Sequence, residues 1–204
     1  MPQCQIENSN SVRNYLSKEA FTQMKKVTTP LTDEVLAELN TGDEVLLTGV
    51  IYTARDAAHR RIVEAVNNGQ PPPIDLHGQI IYYVGPTPPR PGEIIGSAGP
   101  TTAYRMDPFT PKMLELGVKA CIGKGGRSKE VRDSFVENRA VYFGAIGGSG
   151  ALLSGSITGV EVVAYEDLGP EAIRRLEVKD FPVIVVNDLH GNDLLEQGKE
   201  QWKR

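Results

Sequence analysis

Lys124 stands in the run Gly123-Lys124-Gly125-Gly126, between an apolar stretch and a helical pattern. One ammonium with several pliable backbone N–H groups suits a carboxylate or a phosphate. A nucleotide P-loop is excluded, because Gly117 and Gly123 enclose five residues instead of four and Gly125 follows the lysine where Ser or Thr is needed. The dinucleotide fingerprint also fails, since Gly148-Ser149-Gly150 is followed by Ala151-Leu152-Leu153 with no third glycine. A second candidate is Thr101-Thr102-Ala103-Tyr104-Arg105. Its guanidinium can hold a carboxylate by two parallel hydrogen bonds while the hydroxyls fix the orientation. The third is Arg55 at a helix start, with His59 four residues on and so on the same face.

Each has a plainer reading. Lys124 could be a solvent-facing lysine in a turn, Thr101 and Thr102 caps beside a surface arginine, and His59 a hydrogen-bonded packing residue instead of an acid or base. Together, however, Arg55, Arg105 and Lys124 supply three cations from three strand-end loops, and α/β sheets bind ligands beyond such ends. Three cations with two threonines match a small dianion such as a dicarboxylic acid. No strong base, nucleophile or metal centre accompanies them, because His77 and His190-Gly191-Asn192-Asp193 lack ligand spacing.

The elements that must position these residues read as an α/β domain with a mixed, partly parallel sheet. Asp33–Leu39 is helical, Glu44–Tyr52 a strand, and Thr53-Ala54-Arg55-Asp56 has the form of a capping box opening a helix with Ala58, Ile62, Ala65 and Val66 on one face. Gln79–Val84 is a second strand, and Thr110-Pro111 predicts a capped helix closed at Gly117. Strand Val118–Ile122, helix Ser128–Asn138 and strand Ala140–Phe143 form a βαβ unit, which implies a parallel pair. Val160–Ala164 and Pro182–Val186 supply further strands, and Gln197–Arg204 reads as a solvated tail. Residues 1–23 are expected to be an N-terminal appendage and 24–204 the folded domain.

The chain has 204 residues, 40% of them hydrophobic and 24% charged, enough to bury one domain's core. Its net charge of −4 argues against general nucleic-acid or anionic-membrane binding, so any anion site is local. No apolar stretch approaches the ~20 residues of a membrane helix. Two cysteines, Cys4 and Cys121, fit a reducing cytoplasm and cannot supply the thiolates of an iron–sulfur cluster. Ten of fourteen prolines fall between Pro71 and Pro111, a region of turns.

Four strings in order, Arg55-Asp56-Ala57-Ala58-His59, Gly99-Pro100-Thr101-Thr102-Ala103-Tyr104-Arg105-Met106-Asp107, Gly123-Lys124-Gly125-Gly126 and His190-Gly191-Asn192-Asp193, resemble the β subunit of class I fumarate hydratase and L(+)-tartrate dehydratase. The likeness runs from about Met24 to Leu195. It implies a swivelling β/β/α fold and reversible hydration of fumarate to (S)-malate, active only with a separate α subunit in a hetero-oligomer. It further implies that the partner carries a [4Fe–4S] cluster on three cysteines and that this chain ligates no metal. By the motif match, Arg55, Arg105 and Lys124 clamp substrate carboxylates, Thr102 lies beside them, and Thr101 is the candidate base, with assistance from Lys124 or His59. A threonine hydroxyl is a weak base unless its surroundings stabilise the alkoxide. Arg127 departs from a pattern that often has methionine there, and His190 is assigned to a structural turn. The strings are closer to fumarases, with tartrate dehydration, a non-catalytic dicarboxylate-binding module and a packing scaffold as alternatives.

Overall fold

A computed structural model describes residues 24–203. The expected appendage at residues 1–23 lies outside these. The described chain runs β1 (Lys25–Thr28), α1 (Asp33–Ala37), β2 (Glu44–Thr53), α2 (Asp56–Asn67), β3 (Ile80–Tyr82), a 3-10 turn (Ala103–Met106) and α3 (Thr110–Glu115). It continues through β4 (Ala120–Gly123), α4 (Lys129–Glu137), β5 (Val141–Gly144), α5 (Gly150–Ser154), β6 (Ile157–Ala164), a 3-10 segment (Glu166–Glu171), β7 (Ile173–Asn187) and α6 (Leu194–Gln201). No helix among the described residues is long and apolar enough to cross a membrane.

Strands β1 to β5 lie side by side and parallel, and β7 runs antiparallel to β5 and to β6. Because β7 also pairs antiparallel with β2, from Glu44↔Ile184 to Tyr52↔Arg175, the sheet closes into a ring. Side chains alternate across a strand, so a sheet covered on both faces must be apolar at every position. Strands β3, β4 and β5 meet that demand. Ile80, Tyr82, Ala120, Ile122, Val141 and Phe143 enter one buried cluster with Leu176, Val178 and Phe181 from β7. Tyr83, Ile81, Cys121 and Tyr142 enter a second with Ala58, Ile62, Met113 and Phe135 from the helices. The molecule is therefore mixed α/β with a partly parallel sheet, one core inside the folded sheet and one beneath the helices.

Several local expectations are corrected. Thr53 is the last residue of β2, not a helix cap: its hydroxyl donates to the Ala172 carbonyl at 3.1 Å and accepts from the Arg174 N–H. The N-cap position of α2 is Arg55, and the first-turn Ala57 N–H is taken by Glu171 Oε2 at 2.9 Å, a cap supplied from far along the chain. Thr110 lies inside α3 with Phe109 at its N-cap. The second strand is only Ile80–Tyr82, and the Pro182–Val186 run is the end of a 15-residue strand whose first part alternates apolar with charged residues. Much of the expected tail is α6, capped by the Asp193 carboxylate on the Leu195 and Glu196 N–H groups. Gly49 is needed where it stands: at φ +126° a side chain would run into Thr29, whose hydroxyl bonds both polar backbone groups of Val50.

Beyond β7 the chain is tied back by Asp188. Its carboxylate accepts from the Thr41 N–H and hydroxyl, the His190 N–H, and the Asn192 N–H and side-chain amide. The His190 segment is thus a structural turn, as expected. Burial would raise the Asp188 pKa, but these donors bring it down to about 2. The stability it contributes is present above the unfolded value near 4 and is lost as pH falls toward 2. Asp188→Ala leaves these donors without their acceptor and is expected to cost about 3 kcal/mol in urea unfolding at pH 7. A loss under about 0.5 kcal/mol would show that water replaces the carboxylate fully.

Candidate functional site

The parallel order β2-β3-β4-β5 brings four strand ends to one edge, and every candidate residue follows one of them. Arg55 follows β2. The Thr101–Arg105 segment is laid beside the ends of β3 and β4: the Thr101 N–H donates to the Tyr83 carbonyl at 2.7 Å, and the Lys124 N–H to the Thr101 carbonyl at 3.1 Å. The Ala103 N–H then donates to the Lys124 carbonyl at 2.9 Å, and Thr102 and Lys124 form a parallel bridge. This close approach needs Gly123, since a Cβ there would press on the Tyr83 ring, Ala103 and the Thr101 carbonyl. Lys124 is exposed and its stem lies over Gly147 in the loop after β5. Thr101, Thr102, Arg105 and Lys124 therefore lie side by side along one sheet edge, with Arg55 joined to Arg105 through Asp56.

The two arginines are not free cations. Arg105 Nε donates to Asp56 Oδ1 at 3.0 Å, and its Nη2 stands 2.9 Å from Oδ2. Arg55 Nη2 lies 3.3 Å from Glu171 Oε1 and 3.8 Å from Asp56 Oδ2. The two arginines thus face two carboxylates, and with Lys124 counted the three candidate cations leave a single net positive charge where the sequence suggested three. Among the described residues Arg55 Nε is buried without a hydrogen-bond partner, and Asp56 Oδ2 is buried against Arg105 and Arg55 as an ion pair without an aligned hydrogen bond.

His59 does not face this surface. It is 1% exposed, packed edge-on to Tyr83 and beside Phe109, with Nδ1 2.9 Å from the Arg55 carbonyl. Burial pulls its pKa down to about 4, so it is neutral at pH 7 and sits as a packing residue. That arrangement favours the plainer of the two readings of this histidine.

Arg127, named in the sequence only as a departure from a pattern, is buried beneath the site. Its Nε donates to Asp107 Oδ1 at 2.7 Å and its Nη2 to the Thr110 hydroxyl at 2.6 Å, with the guanidinium near the Tyr83, Phe135 and Tyr142 rings. Asp107 Oδ2 in turn accepts from the Ser128 N–H at 2.8 Å. One ion pair thereby joins the end of the Thr101–Asp107 segment to the Gly123–Ser128 loop. Asp56 and Asp107 could have been found from the sequence, since both sit inside the motif strings. Glu171 carries no local signal, because only the fold brings it to Arg55.

The cations and hydroxyls on this edge of a mixed α/β sheet make it a candidate anion site. Comparison with known proteins specifies the family: residues 3–198 match the family described as Fumarase C-terminus, and the chain belongs to that family. It is 40% identical over 173 residues to "Putative L(+)-tartrate dehydratase subunit beta" of Methanocaldococcus jannaschii, covering 82% of this chain and 89% of that protein. It is 39% identical over 169 residues to the aerobic class I fumarate hydratase of Escherichia coli, covering 80% of this chain and 31% of that protein. Against the mitochondrial fumarate hydratase 1 of Leishmania major the figure is 41% over 169 residues, again 80% of this chain and 31% of the relative. The chain therefore spans about a third of the curated fumarate hydratases it matches, and most of the tartrate dehydratase subunit.

Two outcomes test this geometry. Asp107→Ala strands a buried guanidinium and is expected to cost about 3–5 kcal/mol, whereas the double replacement Asp107→Leu with Arg127→Met, which removes both charges and fills the space, costs about 1 kcal/mol or less. Equal losses in denaturant unfolding would contradict the charge-burial account. For His59, the unfolded chain binds a proton near pH 6.5 and the folded chain only near 4, so stability falls with acidification through that window. The loss is about 3 kcal/mol in all, and His59→Phe flattens the pH 6.5–4 slope. An NMR titration placing the His59 midpoint above 6 would refute it.

Proposed function

We propose that this chain is the β subunit of a two-subunit class I hydro-lyase, which adds water reversibly across the double bond of fumarate to give (S)-malate. The observation that carries the reading is the gathering of Arg55, Thr101, Thr102, Arg105 and Lys124 on one strand edge in a chain of the fumarase family. L(+)-tartrate is the alternative substrate, supported by the near-full-length match to a tartrate dehydratase subunit.

In this reading the free N–H edges of Arg105 and Arg55 and the Lys124 ammonium hold the two carboxylates, and Thr102 helps to orient them. Thr101, fixed on both sides by backbone hydrogen bonds, presents its hydroxyl as the candidate base, with Lys124 favouring its ionised form by charge. The family's iron–sulfur cluster does not fit this chain. A cluster takes three or four thiolates. The chain has two cysteines, and Cys121 is buried with its thiol pushed up by that burial. No group of three ligating side chains occurs among the described residues. We assign the cluster to a separate α subunit, in a hetero-oligomer of the reducing cytoplasm.

The test is anaerobic co-expression with the chain encoded by the adjacent reading frame, following fumarate absorbance, with this chain alone and tartrate as controls. Turnover of fumarate only by the complex is the expected result; turnover of tartrate alone would make the alternative correct. No turnover of either by a formed complex with an intact cluster would end the hydratase reading. Within an active complex, Arg105→Ala and Lys124→Ala are each expected to lower kcat/KM about 100-fold, the loss of a charged hydrogen bond of about 3 kcal/mol. Unchanged kinetics would remove that residue from the site.

A further inference from the structure

We propose that Asp56 is a positioning residue of the dicarboxylate site, setting Arg105 and Arg55 at their working angle, an inference that rests on the functional reading above. A guanidinium has five N–H groups, and Asp56 faces only the Nε and Nη2 side of Arg105. The outer edge formed by Nη1 and Nη2 is left for a second carboxylate, on a side chain that is 43% exposed. The same Asp56 carboxylate faces Arg55 at 3.8 Å, whose Nη2 is steadied from the other side by Glu171 at 3.3 Å. Arg55 is confined further by the backbone at Gly85, where a Cβ would come 2.7 Å from its Nη1.

The arrangement differs from the other Arg–carboxylate fork on α2. Arg61 meets Asp167 through Nη1 and Nη2 at 2.8 Å each, which occupies the outer edge instead of the inner one. Arg105 is instead held by its inner edge. Asp56 also stands at the first position of α2, on a backbone whose Ala57 N–H is already taken by Glu171. Its carboxylate is therefore free to serve the arginines, and one oxygen, Oδ2, is buried with no aligned hydrogen bond. Glu171 closes the arrangement by holding Arg55 and α2 at once.

Charge and geometry make opposite demands, which gives the inference a distinctive kinetic signature. Removing Asp56 raises the local positive charge, which favours binding of a dianion, but it frees Arg105 to swing, which harms the oriented complex. In the reconstituted complex, Asp56→Ala is expected to lower kcat at least tenfold while KM stays level or falls. Asp56→Asn, which keeps an acceptor for the Arg105 Nε–H, recovers part of kcat, and Asp133→Asn, which removes a surface pair with Lys129 on α4, changes neither. A kcat that is unchanged or raised in Asp56→Ala, or a KM raised tenfold with kcat intact, overturns the inference. Turnover by the wild-type complex separates this failure from that of the functional reading. Should the wild-type complex be inactive, the Arg105 Nε–H resonance of the full chain decides the positioning claim. Slow exchange in the wild type and fast exchange in Asp56→Ala uphold it, and equal exchange overturns it.

Discussion

The carboxyl edge of the sheet depends on one charge taken out of water. The Arg127 side chain is 0% exposed, and desolvating a guanidinium costs several kcal/mol unless it is paired and fully bonded. Asp107, Thr110 and Tyr83 supply those bonds. Because Asp107 ends the segment that carries Thr101, Thr102 and Arg105, and Arg127 ends the loop that carries Lys124, satisfying the guanidinium sets the distance between the two. An apolar residue at 127 would leave the same packing without that tie. The pair is better understood as a device of geometry than of stability, since buried ion pairs seldom exceed well-packed apolar groups in net worth.

Above this foundation the cations are arranged with their own counter-ions. A cluster of three bare positive charges would repel itself and bind any passing anion. Two internal carboxylates reduce that repulsion and convert mobile charges into directed N–H groups, which is how an anion site gains selectivity for shape over mere charge.

Much of the parallel part of the fold was legible because both faces of β3, β4 and β5 are buried, so their apolar runs stand out against glycine-rich turns. Strand β7 was harder. Its first half carries Arg174, Arg175, Glu177, Lys179 and Asp180 on partly solvated positions, and only its pairing with both β2 and β6 makes it a strand. Thr53 and Thr110 show the limit of local cap rules: each hydroxyl has a better partner, the Ala172 carbonyl and the Met106 carbonyl, that sequence spacing does not reveal. The five candidate residues could be named from their types and loops, and the fold brings them to one edge. What could not be seen was Glu171, which reaches Arg55 and the first turn of α2 only through the fold.

The closing of the sheet by β7 has a consequence for biosynthesis. Glu44 pairs with Ile184, so the edge of β2 opposite β1 and β3 waits for some 140 further residues before its partner β7 exists. Contacts so distant in sequence form late and slowly. Until β7 leaves the ribosome, β2 and β5 present open strand edges of largely apolar composition, the surfaces on which nascent chains aggregate. A truncation before residue 173 would therefore yield an unfinished ring instead of a smaller domain, and production of this chain should be sensitive to translation rate and chaperone supply.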